Sequence, residues 1–377
     1  MTPRERFMAV LAGESNEIIP WTMGFFDEKL AAELLGEECV PSDIIPREDF
    51  SYGASPREDW EVKALYAERA DIPAVPVGWG HSIAFGHGGP GEFAEKTISR
   101  TENRRVTMYE TGVYKEVRYN PHFYHHYNYP LESLEDLDVY LPDPNDPKRY
   151  EGLAEEIAYH KDKGRLTYGS LNGFFSGVHY FFYPYDKFLM DLLLQPRAAK
   201  ELIDRLGSYN LQVAEHLLKA GLDILCFCDD LGSDTSLIIS PDLYRQYFRP
   251  WHGELADLCR SYNAILHLHS HGNINPLMED LYDIGINLLN PLDPSEGMDI
   301  AELAERYGDR ITFVGGINKH FFNWDENRQW EYLDHLFSTV KPGFFLMDSG
   351  GIPEHVTKDA WDRFTDMRQR LKEKYRR

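Results

Sequence analysis

Cysteine is scarce in this chain: four in 377 residues, at positions 39, 226, 228 and 259. A chain of this length buries enough surface to fold without cross-links, so a disulfide scaffold is excluded. Cys226 and Cys228 stand two apart in an apolar stretch, a spacing that fits packing within a strand better than bridging. Long hydrophobic runs are absent too. None reaches the 18 or so residues that a membrane-spanning helix needs. The opening segment MTPRERFMAVLAGE is amphipathic and lacks the apolar stretch of a secretory signal. The expected location is therefore the cytoplasm, with reduced thiols and no membrane attachment.

Positive charge is also in short supply. Lys and Arg number 39 against 62 Asp and Glu, a formal net charge of -23. Such a surface repels phosphate backbones, which excludes nucleic acid as a partner. It argues as well against a highly anionic substrate. No basic cluster falls in the segments expected to form a pocket, and basic residues gather in helices and at the end of the chain, from Arg368 to Arg377. Finally, no G-x-G-x-x-G follows the first apolar segment, so a dinucleotide-binding sheet loses its support. The composition, 42% hydrophobic and 27% charged, is otherwise that of an ordinary globular protein with a large core.

Eight short apolar segments read as parallel strands: Ile19–Phe25, Ile72–Gly78, Leu166–Leu171, Ile224–Asp229, Ala264–His269, Ile286–Asn290, Ile311–Gly315 and Phe344–Asp348. From the third onward a helical pattern follows each. The stretch from Pro196 to Ala220 has clear 3.6-residue periodicity. Ser240 and Pro241 mark a helix N-cap and first position, and a last helix is expected from Pro353 to Lys374. Strands alternating with helices give βαβ units and a parallel sheet. Eight of them predict an α/β fold, a (β/α)8 TIM barrel, with an open doubly wound sheet as the competitor. The whole chain, residues 1–377, reads as one domain. Residues 80–165 break the rhythm with a Gly- and His-rich loop, a hairpin in RVTMYETGVYKEVRYN and the aromatic run PHFYHHYNYP. This is a long insertion after the second strand, placed to act as a lid over the catalytic face. The run LEDLDVYLPDPNDPKRY reads as a solvated connector without chemistry.

The residues that could carry chemistry cluster at strand ends. In HLHSHGN, residues two apart point the same way, about 6.6 Å from Cα to Cα. His269 and His271 can converge on one metal ion, whereas three histidines in a row span too far, so His267 is set aside. Hydrogen-bonded histidines packing the mouth are the alternative. In CDDLGSDTS, Asp229 and Asp230 end the fourth strand, where a general base, a metal ligand or a capping group is equally at home. Asp229, Asp230 and His271 are the expected catalytic residues. Trp21, Asn172, His179, Tyr180, Asn290 and Asp348 are the expected substrate contacts. The last of these opens MDSGGIPEH, in which Gly350 and Gly351 allow close backbone approach and Glu354 and His355 read as part of a turn.

Several stretches in order resemble the uroporphyrinogen decarboxylase superfamily, in particular its corrinoid-dependent methyltransferase branch. They are MTPRERFMAVLAGE with IPW, DDLGSDTSLIISPDLYRQYFRPW, LHSHGNINPLMEDLYDIGINLLNPLDPSEGMDIAELAERYGDRITFVGGIN and GFFLMDSGGIP. The resemblance implies a (β/α)8 barrel. Decarboxylases of the superfamily carry arginines in the first βα segment to grip a polycarboxylate; here no arginine stands between Phe7 and Pro46. Methyltransferases of the superfamily bind zinc through His-x-Cys-Gly on the fifth strand and a later cysteine. His269 matches that histidine, His271 stands in place of the first cysteine, and the later one falls at or beside Gly350. A zinc site would then need another donor, from Asp229, Asp230 or water. A nitrogen-rich site leaves zinc a better Lewis acid, which favours an oxygen leaving group such as that of a methyl ether. The implied activity is methyl transfer between a small methylated substrate and a separate corrinoid protein, with a homodimer as the implied assembly. A decarboxylase of a small organic acid and a non-catalytic ligand-binding barrel are the competing readings.

Overall fold

The computed structural model describes the chain apart from residues 22–32, 34–47, 80–88, 120–121, 136, 342, 350–354 and 377. The expectations for Gly350, Gly351 and Glu354, and for the end of the first strand, lie outside the described residues. Eight parallel strands form the barrel wall: β1 (Ile18–Pro20), β2 (Ala74–Pro76), β7 (Leu166–Leu171), β8 (Ile224–Cys228), β9 (Ile265–His269), β10 (Leu288–Asn290), β11 (Thr312–Gly316) and β12 (Phe344–Met347). They run in the order β1-β12-β11-β10-β9-β8-β7-β2. Each falls within or beside one of the eight apolar segments, and the first and last strands of the chain's order pair through Ile19 and Phe345. The fold is a (β/α)8 TIM barrel.

Alternation along these strands sorts side chains into two cores. Ile19, Ala74, Leu166, Tyr168, Ile224, Cys226, Ile265, Leu288, Val314, Phe345 and Met347 fill the interior. Their neighbours along each strand point outward and pack under the helices. The helix Pro3–Leu11 closes the N-terminal end, where Phe7 and Val10 join the interior cluster. The longest helix, Pro196–Lys219, buries Leu202, Leu206, Val213 and Leu217 along one stripe. Ser240 caps the helix Pro241–Tyr247 by accepting a hydrogen bond from the Leu243 amide, as its sequence predicts. The last helix runs over Lys358–Tyr375 and does not reach back to Pro353: the Thr357 hydroxyl, accepting from the Ala360 amide, fixes its start. Among the described residues no helix is long and apolar enough to cross a membrane.

Between β2 and β7 the chain forms a second, antiparallel sheet in the order β3-β4-β5-β6. Its strands are β3 (Glu95–Thr101), β4 (Arg104–Tyr109), β5 (Tyr114–Tyr119) and β6 (His122–Tyr127). The expected hairpin is β4–β5. The aromatic run is a strand, paired to β5 with Lys115 opposite His126 and Val117 opposite Tyr124. The connector after it is not inert. Arg149 is buried there and holds Glu110 in a 2.6 Å ion pair, anchoring the sheet's turn to the barrel. The helix Leu153–Asp162 then leads into β7 and belongs to the outer ring.

Candidate active site at the barrel mouth

Register places the polar residues of the mouth before any side-chain contact is considered. Cys228 pairs with His269 across β8–β9, and Asn290 pairs with the same His269 across β9–β10. Cys228, His269 and Asn290 thus form the uppermost inward layer of the barrel. One layer below, Cys226, His267 and Leu288 are aligned in the same way, and the His267 ring packs 5.4 Å from Trp21.

Cys228, Asp230 and His269 bring a sulfur, an oxygen and a nitrogen within 4.8 Å of one another. Cys228 ends β8 and Asp230 follows it by two residues, and both side chains reach His269. Zinc takes all three donor types at about 2.0–2.3 Å in a tetrahedral arrangement, so two ligand atoms stand roughly 3.3–3.8 Å apart. A small side-chain rotation closes the set on one cation, and three protein donors leave a position open. Cys228 is the donor that sequence reasoning took for packing; its spacing from Asp230 at a strand end was the available signal. Burial first, then the charges of Asp230 and Cys226, raise its thiol well above the ordinary range, and a bound cation opposes that shift. Asn290 steadies the histidine: its amide nitrogen lies 3.0 Å from His269 Nδ1. Turning that amide over would put its oxygen on a protonated Nδ1 and leave Nε2 free to ligate.

His271 stands beside the set of Cys228, Asp230 and His269. The strand ends at His269, so the two rings diverge, with centroids 4.8 Å apart and planes at 81°. Nδ1 of His271 faces Glu296 at 3.9 Å, and its backbone amide donates to Asp230 Oδ1 at 2.9 Å. Burial opposes the imidazolium. The nearby Glu296 carboxylate and the charges of Asp230 and Asp293 outweigh it, so the His271 pKa is raised. Glu296 answers in kind. Burial works against its charge, but His271, the Gly272 amide and Lys319 bring it down to about 2.

Asp229 takes a different place from Asp230. It is fully buried, and its carboxylate accepts from the amides of Phe174, Phe175 and Ser176 at 2.8–3.0 Å. His252 Nε2 lies 2.8 Å from its Oδ2, and Tyr244 closes the relay on His252 Nδ1 at 3.1 Å. With every lone pair engaged, Asp229 builds the loop after β7; it does not serve as a free base. Gly173 lets that loop close over it, since a Cβ there would collide with the Cys228 carbonyl and the Asp229 carboxylate. Asn172 is likewise spent on structure, accepting from the Phe93 amide and its carbonyl receiving the Asn210 side chain. Trp21 packs inside the barrel among Phe7, Tyr168, His267 and Phe345 at 3% exposure. Asp348 borders a narrow crevice with Trp361, Phe364 and Arg368, under the last helix. None of Trp21, Asn172 and Asp348 belongs to the set of Cys228, Asp230 and His269.

Tyr180 does reach the donors. Its hydroxyl lies 3.5 Å from Asp230 Oδ2 and 3.5 Å from the hydroxyl of Tyr124 on β6. The His126 ring stacks on Tyr180 at 4.8 Å, and Tyr109 meets Phe181 edge-on at the same distance. The face of the second sheet that carries Tyr109, Lys115, Tyr124 and His126 therefore covers the helix Ser176–Phe181 beside the mouth. His179 is walled in by the rings of Phe175, Tyr180 and Tyr185. Burial lowers its pKa to about 4, and burial with the Lys115 and His179 charges lowers His126 to about 2. Both are neutral imidazoles at ordinary pH. The covering sheet brings a cation to this place: Lys115 lies within electrostatic reach of Glu95, Arg105, Glu92 and Cys228.

Comparison with known proteins agrees with this architecture. Residues 115–370 match the sequence model of uroporphyrinogen decarboxylase (URO-D). No curated protein matches the chain. Among solved structures, a methyltransferase from Methanosarcina mazei aligns over 98% of this chain and 99% of its own, with a TM-score of 0.68 and 16% identity. A B12-independent methionine synthase from Shewanella sp. W3-18-1 aligns over 59% of this chain and 66% of its own, at a TM-score of 0.39 and 11% identity. The matched span takes in β6, the mouth strands β7–β12 and the helices between them, and on that ground the chain belongs to the uroporphyrinogen decarboxylase (URO-D) family.

Proposed function

We propose that this protein is a methyltransferase, moving a methyl group between a small methylated substrate and a corrinoid carried by a separate protein, with zinc as its resident metal. The observation that carries the reading is the sulfur, oxygen and nitrogen donor set of Cys228, Asp230 and His269 at the barrel mouth. The full-length likeness in fold to a protein described as a methyltransferase supports it. Held there, zinc supplies Lewis acidity toward the heteroatom that bears the methyl group. The chain's own residues do the rest. Asn290 fixes the His269 ring. Asp230, held between the His271 amide and the Tyr180 hydroxyl, would be kept in place as a ligand. His271, whose charge Glu296 favours, donates a proton to the departing heteroatom. The chain acts as one barrel unit, and Tyr124 and His126 on the covering sheet exclude water from the mouth.

Elemental analysis of the purified protein tests this. Stoichiometric zinc is expected in the wild type, with loss in C228S/H269A while the circular dichroism spectrum is retained. Methyl transfer from a methyl ether to cob(I)alamin should disappear with the metal. A wild type that is free of zinc and releases CO2 from small organic acids would replace this reading with decarboxylation.

A further inference from the structure

Among the described residues, Lys115 makes no ion pair, although Glu95 and Glu92 act on it electrostatically. It is only partly exposed, and it makes no hydrogen bond to any described residue. Its close contact is the ring of Tyr124, whose centroid lies 5.4 Å from Nζ. Burial lowers its pKa, the charges of Glu95 and Glu92 partly offset this, and that of Arg105 adds to it. A partly desolvated ammonium with unused donors is costly unless an acceptor arrives. The direction from which one can arrive is set by the sheet. Lys115 shares its face with Tyr124 and His126, and that face looks onto Tyr180 and the donor set. Between the ammonium and Asp230 stand the Tyr124 ring and the hydroxyls of Tyr124 and Tyr180.

We propose that Lys115 is the specificity-determining residue of the mouth, holding the carboxylate of a small aromatic acid whose ring lies among Tyr124, His126 and Tyr180. A single negative charge suits the place, because Glu92 and Glu95 repel a polyanion. The rings favour a flat body over an aliphatic one. The inference rests on the reading of the mouth as the substrate site and is independent of methyl transfer.

The test uses benzoate and its neutral counterpart benzamide as probes, with calorimetric titration of the wild type, K115M, K115Q and K115R. Losing a charge-assisted hydrogen bond should weaken benzoate at least about tenfold in K115M and K115Q. K115R should retain most of the affinity, and benzamide should bind all four proteins alike. Equal binding of the two probes by the wild type would overturn the proposal. So would unchanged benzoate affinity in both uncharged variants with wild-type melting curves. Lys115-dependent benzoate binding in the zinc-free C228S/H269A protein would uphold this inference even if methyl transfer is never found.

Discussion

At the scale of single residues, the fold hides titratable groups whose cost appears only in acid. His160 is completely buried at the end of the helix Leu153–Asp162, and neither ring nitrogen has a hydrogen-bond partner among the described residues. Burial, then the charges of Lys63, Arg165 and Lys163, lowers its pKa from 6.5 to about 3. The unfolded chain takes up this proton near pH 6.5 and the folded chain does not. The stability contributed by the neutral ring is therefore complete above about pH 6.5 and is lost as pH falls toward 3. By pH 5 the loss amounts to about 2 kcal/mol. Urea denaturation of H160L should show a shallower decline in stability between pH 7 and pH 5 than the wild type. Identical slopes would mean that His160 finds a partner or water that the geometry does not supply. The slope is the right readout, because replacing a ring with Leu also changes packing at every pH.

At the scale of elements, the mouth depends on two loops meeting backbone to backbone. The loop after β8 donates from the Gly232 amide to the His271 carbonyl at 3.1 Å, and the loop after β9 returns a bond from Asn273 to Ser233 at 2.8 Å. Gly232 and Gly272 face each other at the crossing, and Gly272 has φ +83. A Cβ on Gly272 is both strained and blocked by backbone that cannot yield. G272A should destabilise the protein by about 1–3 kcal/mol and reduce metal content, since the crossing holds Asp230 beside His271. G253A is the control. That glycine lies inside the helix Arg249–Ser261 with nothing within 4 Å of the added carbon, so Ala should raise stability by up to about 1 kcal/mol. Equal melting temperatures for the two variants would sink the argument from the crossing. Elements also mark where the sequence could not be read. The barrel strands were legible because apolar stretches of strand length recur between amphipathic helices. In the covering sheet β3 is EKTISRT, polar on both faces, and β6 is an unbroken aromatic run flanked by prolines. Neither shows the alternation that marks a strand, so the sheet was visible only as one hairpin. The donor set was half legible for a related reason. His269 and Asp230 are conspicuous at strand ends, but the role of Cys228 depends on its register with His269, which sequence spacing does not contain.

At the scale of the whole molecule, charge sets conditions that no single contact fixes. The net charge of -23 is spread over 16209 Å² of surface. The excess charges then stand on average roughly 27 Å apart, close to the Debye length of about 30 Å at 0.01 M salt and about three times that at 0.15 M. Their mutual repulsion is felt at low salt and is largely screened at physiological salt. The helical pairs Lys200–Asp204, Glu201–Arg205, Glu215–Lys219 and Lys358–Asp362 are in contact at 2.5–2.8 Å. Contact pairs lie well inside the Debye length in both conditions, and each contributes only about 0.3–0.5 kcal/mol. Screening therefore removes more repulsion than attraction. The melting temperature should rise by a few degrees as sodium chloride goes from about 0.01 to 0.15 M, and C228S/H269A should rise in parallel, because the effect belongs to the surface and not to the mouth. A melting temperature that falls with salt would show that local ion pairs outweigh the net charge. The acid excess would then have to be balanced by a partner surface that covers it in the working assembly.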